Sequence, residues 1–307
     1  MATFRFAERV YVLNMTKKPT GKDRSSGWKA AKVGGHVNEE ELAERLRNDE
    51  QFARLTGVRI FGEDIGLPKQ VLCGGSAAPR IEDIFGRKSN GKPDITVLWS
   101  RKRANLSIKM SDSGQVFLTS VDRFIAGFEF HFGKPVPKKV VETLHLFIGT
   151  DPRKCDLVMR GKEYQGPMHK SGELQEQHQH RLLGATLERY FDGDWTKTLG
   201  WLNENSGKIA DFVFARGYAQ ESKDFATHVW YFNADNGKDE IDSLVSIKEI
   251  VKNSESKGVG VVVGKKNGGS TIQFPFGFLQ MHTPKGENQM QFHHNYKKIS
   301  QIVSWCR

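Results

Sequence analysis

The sequence has few cysteines and no long apolar segment. Its three cysteines, Cys73, Cys155 and Cys306, lie far apart and form no C-x-x-C pair, so neither a disulfide framework nor a cysteine-based zinc site is expected. No apolar run approaches the roughly 20 residues that a membrane-spanning helix needs. The first residues, Met1–Arg9, carry charges where a signal peptide has its apolar stretch. These absences predict a cytoplasmic protein with reduced thiols and no membrane role.

Positive charge exceeds negative charge in this chain. The sequence has 307 residues with 46 Lys and Arg against 36 Asp and Glu, which gives a formal net charge of +10. The corresponding pI is near 9.4. Such a balance favours a polyanionic partner such as nucleic acid. With 37% hydrophobic and 27% charged residues, the composition is that of a folded chain with a complete core.

The first half of the chain predicts the element order helix, three strands, helix, strand. The first helix has Asn38 as its N-cap and acidic residues in its first turn, where the helix dipole favours negative charge. Runs of apolar residues predict the strands, and an apolar spacing of three and four predicts the second helix. The predicted elements after the first helix are strands at Gln70–Cys73, Pro93–Trp99 and Ala104–Lys109, a helix within Val116–Phe130, and a strand at Leu144–Gly149.

The second half predicts a helical segment followed by β-structure. Glu173–Tyr190 has a polar helical pattern that Thr196–Asn203 continues. The sequence Asn267-Gly268-Gly269 between two apolar runs indicates a hairpin. The predicted strand regions are Asp211–Ala215, Thr227–Phe232, Gly258–Val263 and Ser270–His282, with a helix near Leu244–Lys252.

One predicted hairpin carries residues suited to phosphodiester hydrolysis. Asp94 opens its first strand and Lys109 closes its second, so the hairpin places a carboxylate beside an ammonium group. Hydrolysis of a phosphodiester needs a metal that neutralises phosphate charge and activates water, and Mg²⁺ takes oxygen ligands that include one or two carboxylates. Lys109 shares a strand face with Ser107 and is placed to stabilise an attacking hydroxide or the phosphate. The main-chain carbonyl of Ile108 is a further candidate metal ligand.

At Pro93-Asp94 and Ser107-Ile108-Lys109 the chain resembles the PD-(D/E)XK nuclease superfamily, particularly the type II restriction endonucleases. The resemblance implies an α/β fold with a mixed central β-sheet flanked by helices, to which this chain adds a helical insertion and a β-rich C-terminal part. Residues 1–150 would form the nuclease core with a basic N-terminal arm. Residues 151–307 would complete the same domain and recognise DNA. The implied function is Mg²⁺-dependent cleavage of double-stranded DNA at a specific sequence, by a homodimer if the target is palindromic.

The chain departs from the superfamily pattern at one position. Ser107 stands where the family usually has Asp or Glu, so a second metal-binding acid must come from elsewhere. Glu39 at the start of the first helix is the first choice, and Glu40 and Glu129 remain open, because acids in a first turn also serve to compensate the helix dipole. Gln115, six residues after Lys109, is expected to approach the same pocket.

Further residues are predicted to contact DNA. The Lys and Arg side chains of Thr16–Lys32, including Lys32 itself, and those of Arg101, Lys102 and Arg103 are expected to bind phosphates. Gln and Asn pair with adenine in a major groove that admits a β-ribbon. The predicted base-contacting residues are Gln280, Gln291, His293 and His294, and the phenylalanines among them, Phe274, Phe276, Phe278 and Phe292, are expected to be sheet core.

Two other functions remain open on the sequence alone. Because Ser107 cannot bind a metal as a carboxylate does, the chain could be a DNA-binding protein with a decayed nuclease core. An enzyme that acts on RNA or on branched DNA would share the same core chemistry and differ only in substrate.

Overall fold

The computed structural model describes residues 38–74, 79–150, 181–233, 241–255, 260–265, 268–283 and 287–304, together with the backbone of two short strands near the N-terminus. Its contacts divide the chain into two compact units, Met1–Val37 and Asn38–Arg307. In the first unit, β1 (Arg5–Phe6) pairs antiparallel with β2 (Arg9–Val10). The predicted basic arm, including Lys32, lies outside the described residues.

The described part of the second unit contains strands and helices in mixed order. The strands are β3 (Gln70–Cys73), β4 (Ile81–Glu82), β5 (Lys88–Ser89), β6 (Ile95–Leu98), β7 (Arg103–Lys109), β8 (Ser113–Thr119), β9 (His228–Asn233), β10 (Ile241–Ser246), β11 (Val262–Val263), β12 (Thr271–Phe274), β13 (Gly277–His282) and β14 (Gln289–Asn295). The helices are α1 (38–48), α2 (Glu50–Phe61), α3 (Val121–Phe132), α4 (Lys138–Ile148), α5 (Gly184–Glu204), α6 (Ser206–Ala210), α7 (Ile247–Ser254) and α8 (Tyr296–Ile302), with a π-helix at Asp211–Arg216 and a 3₁₀ turn at Ser222–Asp224.

A mixed five-stranded sheet, in the order β10-β9-β7-β6-β3, forms the centre of the unit. β7 and β9 run parallel and the other neighbours are antiparallel. β7 is the middle strand and its residues 104–108 are all buried, as expected for a strand covered on both faces. Helices α1 and α2 cover one face, where Leu42 and Leu46 join the cluster around Val97 and Phe52 stacks on Trp230 at 5.8 Å.

A second five-stranded sheet, in the order β11-β12-β13-β14-β8, is antiparallel throughout. Burial alternates along β13, with Leu279 and Met281 buried and Phe278 and Gln280 half-buried. One face therefore packs on the core and the other is polar. The inner face belongs to a large cluster that also includes residues of α3, α4, α5 and the π-helix, and Tyr231 of the first sheet. Within the described residues, no helix has the length and apolar character to cross a membrane.

Several predicted elements are confirmed. The strands at Gln70–Cys73 and Ala104–Lys109, and the strand within Thr227–Phe232, are present as β3, β7 and β9. The predicted hairpin between β11 and β12 is also present, and its glycines Gly268 and Gly269 have φ angles of +64° and +81°, a backbone conformation that glycine adopts without steric cost.

Two predicted strands are wrong. Leu144–Gly149 is the last part of helix α4 and its cap, because Val140, Leu144 and Phe147 make one buried stripe at helical spacing. Residues 144–148 alone form a short apolar run that resembles a strand, and only the preceding helical turn, which includes Val140, shows the helical spacing. Asp211–Ala215 is a π-helix, and because residues 212–215 are all buried, the sequence has no periodicity that would distinguish a helix from a buried strand.

Two predicted helices begin later than expected. Residues 116–119 belong to β8, and α3 starts after Ser120, whose hydroxyl accepts a hydrogen bond from the Arg123 N–H at 3.3 Å. Leu244–Ser246 likewise belong to β10, and α7 begins at Ile247. In both cases one serine marks the change from strand to helix: Ser120 lies between β8 and α3, and Ser246 is the last residue of β10. The apolar residues of each strand therefore look like a continuation of the helical pattern that follows.

Candidate functional site

Asp94 is fixed by its backbone at the end of the first sheet, immediately before β6. Its N–H donates to the Leu106 carbonyl at 2.8 Å, and its own carbonyl accepts from the Gly74 N–H at 2.6 Å. A Cβ at position 74 would lie 2.1 Å from the Pro93 carbonyl oxygen, so only glycine allows β3 to approach this closely. Asp94 is therefore held between β3 and β7.

The Asp94 carboxylate accepts hydrogen bonds from β7, the strand that carries Ser107, Ile108 and Lys109. Its Oδ2 atom accepts hydrogen bonds from the Ile108 N–H at 2.7 Å and from the Ser107 hydroxyl at 3.1 Å. Among the residues that the structure describes, none donates to its Oδ1 atom, and the side chain is 26% exposed. Ser107 thus acts as a hydrogen-bond donor to the acid.

Lys109 completes a four-residue group with Asp94, Ser107 and Ile108. Its Nζ donates to the Ser107 hydroxyl at 2.9 Å and to the Ile108 carbonyl at 3.0 Å, and it lies 3.9 Å from Asp94 Oδ2. The structure therefore brings together the residues that the sequence placed on this hairpin. The Ile108 carbonyl, which the sequence predicts as a metal ligand, accepts a hydrogen bond from the Lys109 ammonium in this structure.

Lys92 is a further residue of the site that sequence reasoning missed. Its ammonium points inward, donating to the Val213 carbonyl at 2.5 Å and the Val116 carbonyl at 3.4 Å, and it lies 4.5 Å from the centre of the Phe117 ring. Burial, and then the charge of Lys109, lower the pKa of Lys92 to about 7, while Asp94 acts in the opposite direction. Strand alternation does not reveal it, because residues 92 and 94 are bends that precede β6.

His294 lies inside the protein next to this group and not on a DNA-facing surface. Its Nδ1 is 3.1 Å from the Tyr231 hydroxyl, and Tyr231 pairs with Lys109 across β9 and β7. The side chain is 1% exposed, which corrects the prediction that it contacts bases. Burial, followed by the charges of Lys109 and His293, lowers the pKa of His294 to about 3, so the ring is neutral at physiological pH.

The three candidate acids lie in different environments. Glu39 is half-buried in the first turn of α1, and Glu40 is exposed. The preceding residue, Asn38, donates to the Phe232 carbonyl at 3.2 Å, so α1 begins at the same end of the first sheet as Lys109. Glu129 accepts from the Val136 N–H at 2.8 Å and closes the turn between α3 and α4. In the described part of the chain, no group of three or more His, Cys, Asp or Glu residues is placed to hold a metal.

Gln115, Gln280, Gln291 and His293 form a hydrogen-bonded row on the outer face of the second sheet. Gln291 Nε2 donates to Gln115 Oε1 at 2.8 Å, and Gln280 Nε2 donates to Gln291 Oε1 at 2.8 Å. Gln280 Nε2 also lies 3.1 Å from His293 Nε2. Gln115 therefore contacts the predicted base-contacting residues and not Asp94. Gln291 is buried between Gln280 and Gln115, which corrects the prediction that it contacts bases itself. A β-bulge on β8 opposite Phe292 and His293 sets this register, as bulges do when they re-aim a side chain.

The phenylalanines of this region divide between the two faces of the sheet. Phe274, Phe276 and Phe292 are buried in the core, as predicted. Phe278 is half-buried on the outer face and stacks on His293, with ring centroids 4.5 Å apart and planes inclined by 6°. The prediction that Phe278 is core is wrong, because it occupies the outward position in the alternation of β13.

The basic turn at residues 101–103 lies at the far end of the hairpin from Asp94. Arg101 is exposed, Lys102 forms an ion pair with Glu63, and Arg103 Nε donates to Asn105 Oδ1 at 2.8 Å. Because β7 runs from Arg103 to Lys109, the turn and the site are roughly 20 Å apart. The structure does not bring these cations into the site.

Comparison with known proteins gives distant structural likenesses only. No protein family matches the sequence, and no curated protein matches it. Among solved structures, a crystal structure of the restriction endonuclease MspI in complex with its cognate DNA is similar, with a TM-score of 0.40 and 10% sequence identity over 73% of this chain and 69% of that chain.

Proposed function

We propose that this protein is a Mg²⁺-dependent endonuclease of the type II restriction class, which hydrolyses double-stranded DNA at a specific sequence. The observation that carries the proposal is the hydrogen-bonded group of Asp94, Ser107, Ile108 and Lys109. An acid and a lysine that meet on adjacent strands at the end of a mixed sheet are the parts that phosphodiester hydrolysis requires. The excess of 46 basic over 36 acidic residues is consistent with a polyanionic substrate.

The residues present fit a magnesium ion that DNA helps to bind. Mg²⁺ keeps several waters and needs only one or two protein carboxylates in addition to substrate phosphates. Asp94 is partly exposed and, among the described residues, its Oδ1 atom accepts no hydrogen bond. Asp94 and Glu39 would hold the ion, and the Ile108 carbonyl would join them if it exchanged its hydrogen bond from Lys109 for the ion. A bound Mg²⁺ ion would neutralise charge on the scissile phosphate and lower the pKa of a bound water.

Lys109 supplies positive charge that belongs to the protein itself. Lys109 places an ammonium 3.9 Å from the Asp94 carboxylate, where it stabilises an attacking hydroxide or the scissile phosphate. Ser107 keeps this ammonium next to the acid through its two hydrogen bonds. Lys92 supports the hairpin from the interior through its bond to the Val213 carbonyl.

Cleavage of supercoiled plasmid DNA in a Mg²⁺ titration tests the proposal. Asp94→Asn and Lys109→Ala are expected to cut at least about 100-fold more slowly than wild type, because each removes a charge that acts on the transition state. Lys197→Ala and Asp192→Asn, two exposed positions on α5, serve as matched controls and should cut at the wild-type rate. Wild-type rates in the Asp94 and Lys109 variants would contradict the proposal.

A second candidate is a sequence-specific DNA-binding protein whose nuclease core has decayed. Two observations favour it: Ser107 replaces the expected carboxylate, and the described residues contain no group of three or more metal-binding side chains. The plasmid assay separates the two functions, because this candidate binds duplex DNA at any Mg²⁺ concentration without cutting. Parallel assays with RNA and with branched DNA at fixed salt identify the substrate if cleavage occurs.

The domain assignment and the DNA contacts complete the proposal. Residues 1–150 carry the cleavage chemistry and residues 151–307 complete the domain and contribute to site selection. Arg101, Lys102, Arg103 and the basic arm with Lys32 bind phosphates. A two-fold dimer would place two sites on a palindromic target, and sedimentation of the protein with and without duplex DNA measures this state.

A further inference from the structure

The glutamine row on the second sheet has a fixed hydrogen-bonding polarity. Gln280 uses its NH₂ group twice, toward Gln291 Oε1 at 2.8 Å and His293 Nε2 at 3.1 Å. Gln115 uses its Oε1 once, as the acceptor of the bond from Gln291. Within the residues that the structure describes, this leaves the carbonyl oxygen of Gln280 and the NH₂ group of Gln115 without partners. The row thus offers an acceptor at one end and a donor at the other.

The direction of these bonds requires a neutral His293 with its proton on Nδ1. Only in that tautomer can Nε2 accept from Gln280. Burial, with a smaller effect from the charge of His282, lowers the pKa of His293 to about 4. The stacked Phe278 ring, 4.5 Å away and nearly parallel, holds the imidazole in its plane. A Gln280 amide that donates to this acceptor and to Gln291 leaves its carbonyl oxygen available to a ligand.

The row also has the spacing and position that a DNA groove requires. It crosses β13, β14 and β8, and neighbouring strands lie about 4.8 Å apart, against a rise of about 3.4 Å per base pair. The row therefore spans about three base pairs. Gln115 follows Lys109 by six residues, so their Cα atoms are at most about 20 Å apart. The strand that carries Gln115 therefore follows directly after the strand that carries the candidate cleavage residue Lys109.

We propose that this face enters the major groove of the DNA and reads base edges, with Gln280 as acceptor from an exocyclic amino group and Gln115 as donor to a base acceptor. The inference rests on the proposed function, since it assigns the specificity surface of that nuclease. The row contains no cation, so it is suited to base edges and not to phosphates, which proteins bind chiefly with Lys and Arg. Amide side chains pair with adenine, whose N6 amino group and N7 atom face the major groove.

Selection from a pool of duplexes with random central base pairs tests the inference. The full-length protein is used with Ca²⁺ in place of Mg²⁺, and bound duplexes are sequenced. Wild type is expected to enrich one motif. Gln280→Leu and Gln115→Leu should each lose the preference at a different base pair, and their affinity for the wild-type motif over random DNA should fall about 10- to 100-fold. Gln70→Leu, an exposed glutamine on β3 of the other sheet, should enrich the wild-type motif.

Single-atom changes in the DNA identify the contact. Where the motif has adenine opposite Gln280, purine, which lacks the 6-amino group, should weaken wild-type binding about 10-fold or more and leave the Gln280→Leu protein unaffected. Thermal melting of each variant establishes that it is folded. Identical motifs from wild type and both glutamine variants would overturn the inference, as would a wild-type protein that enriches no motif. Either result leaves the plasmid assay of Asp94→Asn as an independent test of nuclease activity.

Discussion

Ser107 joins Lys109 to Asp94 through one hydroxyl group. The hydroxyl donates to Asp94 Oδ2 at 3.1 Å and accepts from Lys109 Nζ at 2.9 Å. Asp94 Oδ2 keeps a second donor, the Ile108 N–H at 2.7 Å, and Lys109 keeps the Ile108 carbonyl. The serine therefore positions two groups that are also held by the backbone.

We predict that Ser107→Ala slows plasmid cleavage about 2- to 12-fold, the effect of one net hydrogen bond of about 0.5–1.5 kcal/mol. The Asp94→Asn variant, measured in the same assay, gives the scale of a full loss. A Ser107→Ala protein as inactive as Asp94→Asn would mean that the hydroxyl takes part in the reaction and does more than position its neighbours.

Neutral His294 makes the stability of the protein depend on pH. Its pKa is lowered to about 3 in the folded state from about 6.5 in an unfolded chain. Between these values the unfolded state binds the additional proton, so stability is complete above pH 6.5 and is lost as the pH falls toward 3.

For His294, which is 1% exposed, the predicted loss in the free energy of unfolding between pH 7 and pH 5 is roughly 2 kcal/mol. Urea unfolding at the two pH values measures it. His294→Asn keeps a hydrogen-bond acceptor for Tyr231 but has no group that titrates in this range, and its loss should be smaller by about that amount. An equal loss in both proteins would contradict the assignment.

At the scale of elements, the meeting of β3 and β6 depends on one glycine. A Cβ at position 74 would lie 2.1 Å from the Pro93 carbonyl oxygen and 3.0 Å from that of Asp94. These are backbone atoms, so the strand and not a side chain would have to move. The residue that sets this approach therefore also sets the position of the Asp94 carboxylate.

Gly74→Ala is expected to destabilise the protein by about 1–3 kcal/mol and to reduce cleavage as Asp94 shifts. Thermal unfolding and the plasmid assay measure the two effects. Gly200→Ala on α5, where a Cβ would meet nothing within 4 Å, is the matched control and should gain roughly 0.5–1 kcal/mol, because alanine is the better helix former. Equal melting temperatures for wild type and Gly74→Ala would refute the close approach.

Local patterns predicted the hairpin of β6 and β7 well and long-range pairings poorly. Asp94 and Lys109 are fifteen residues apart, so turn signals and alternation placed them together. The partner of Lys109 in the sheet is Tyr231, more than a hundred residues later, and no local signal relates the two. Alternation along a strand does place the adjacent His293 and His294 on opposite faces, and His294 shares the buried face with Phe292.

The wrong elements have a related cause. In α4 the periodicity extends from Val140 to Ile148, and only its whole length distinguishes it from a strand. In the π-helix, residues 212–215 are buried on every side, which removes the amphipathic signal altogether. The fourth core strand predicted at Leu144–Gly149 is absent, and β9 lies parallel to β7 in the first sheet.

At the scale of the whole molecule, a net charge of +10 predicts binding to duplex DNA that weakens steeply with salt. The logarithm of the affinity for a random duplex should fall linearly with the logarithm of salt concentration. Arg101→Ala, which removes an exposed cation, should reduce the magnitude of that slope by about 1 if Arg101 contacts a phosphate. Fluorescence anisotropy across a salt series measures the slopes, and Lys197→Ala should match wild type. An unchanged slope for Arg101→Ala would exclude that contact.

The passage from β7 into β8 takes only residues 110–112. If β7 carries the cleavage residues and β8 a base-reading residue, the distance between the broken bond and the selected base is limited by this short connection. An offset of at most about 20 Å corresponds to no more than about six base pairs. A nuclease built in this way would cut within its target or directly beside it.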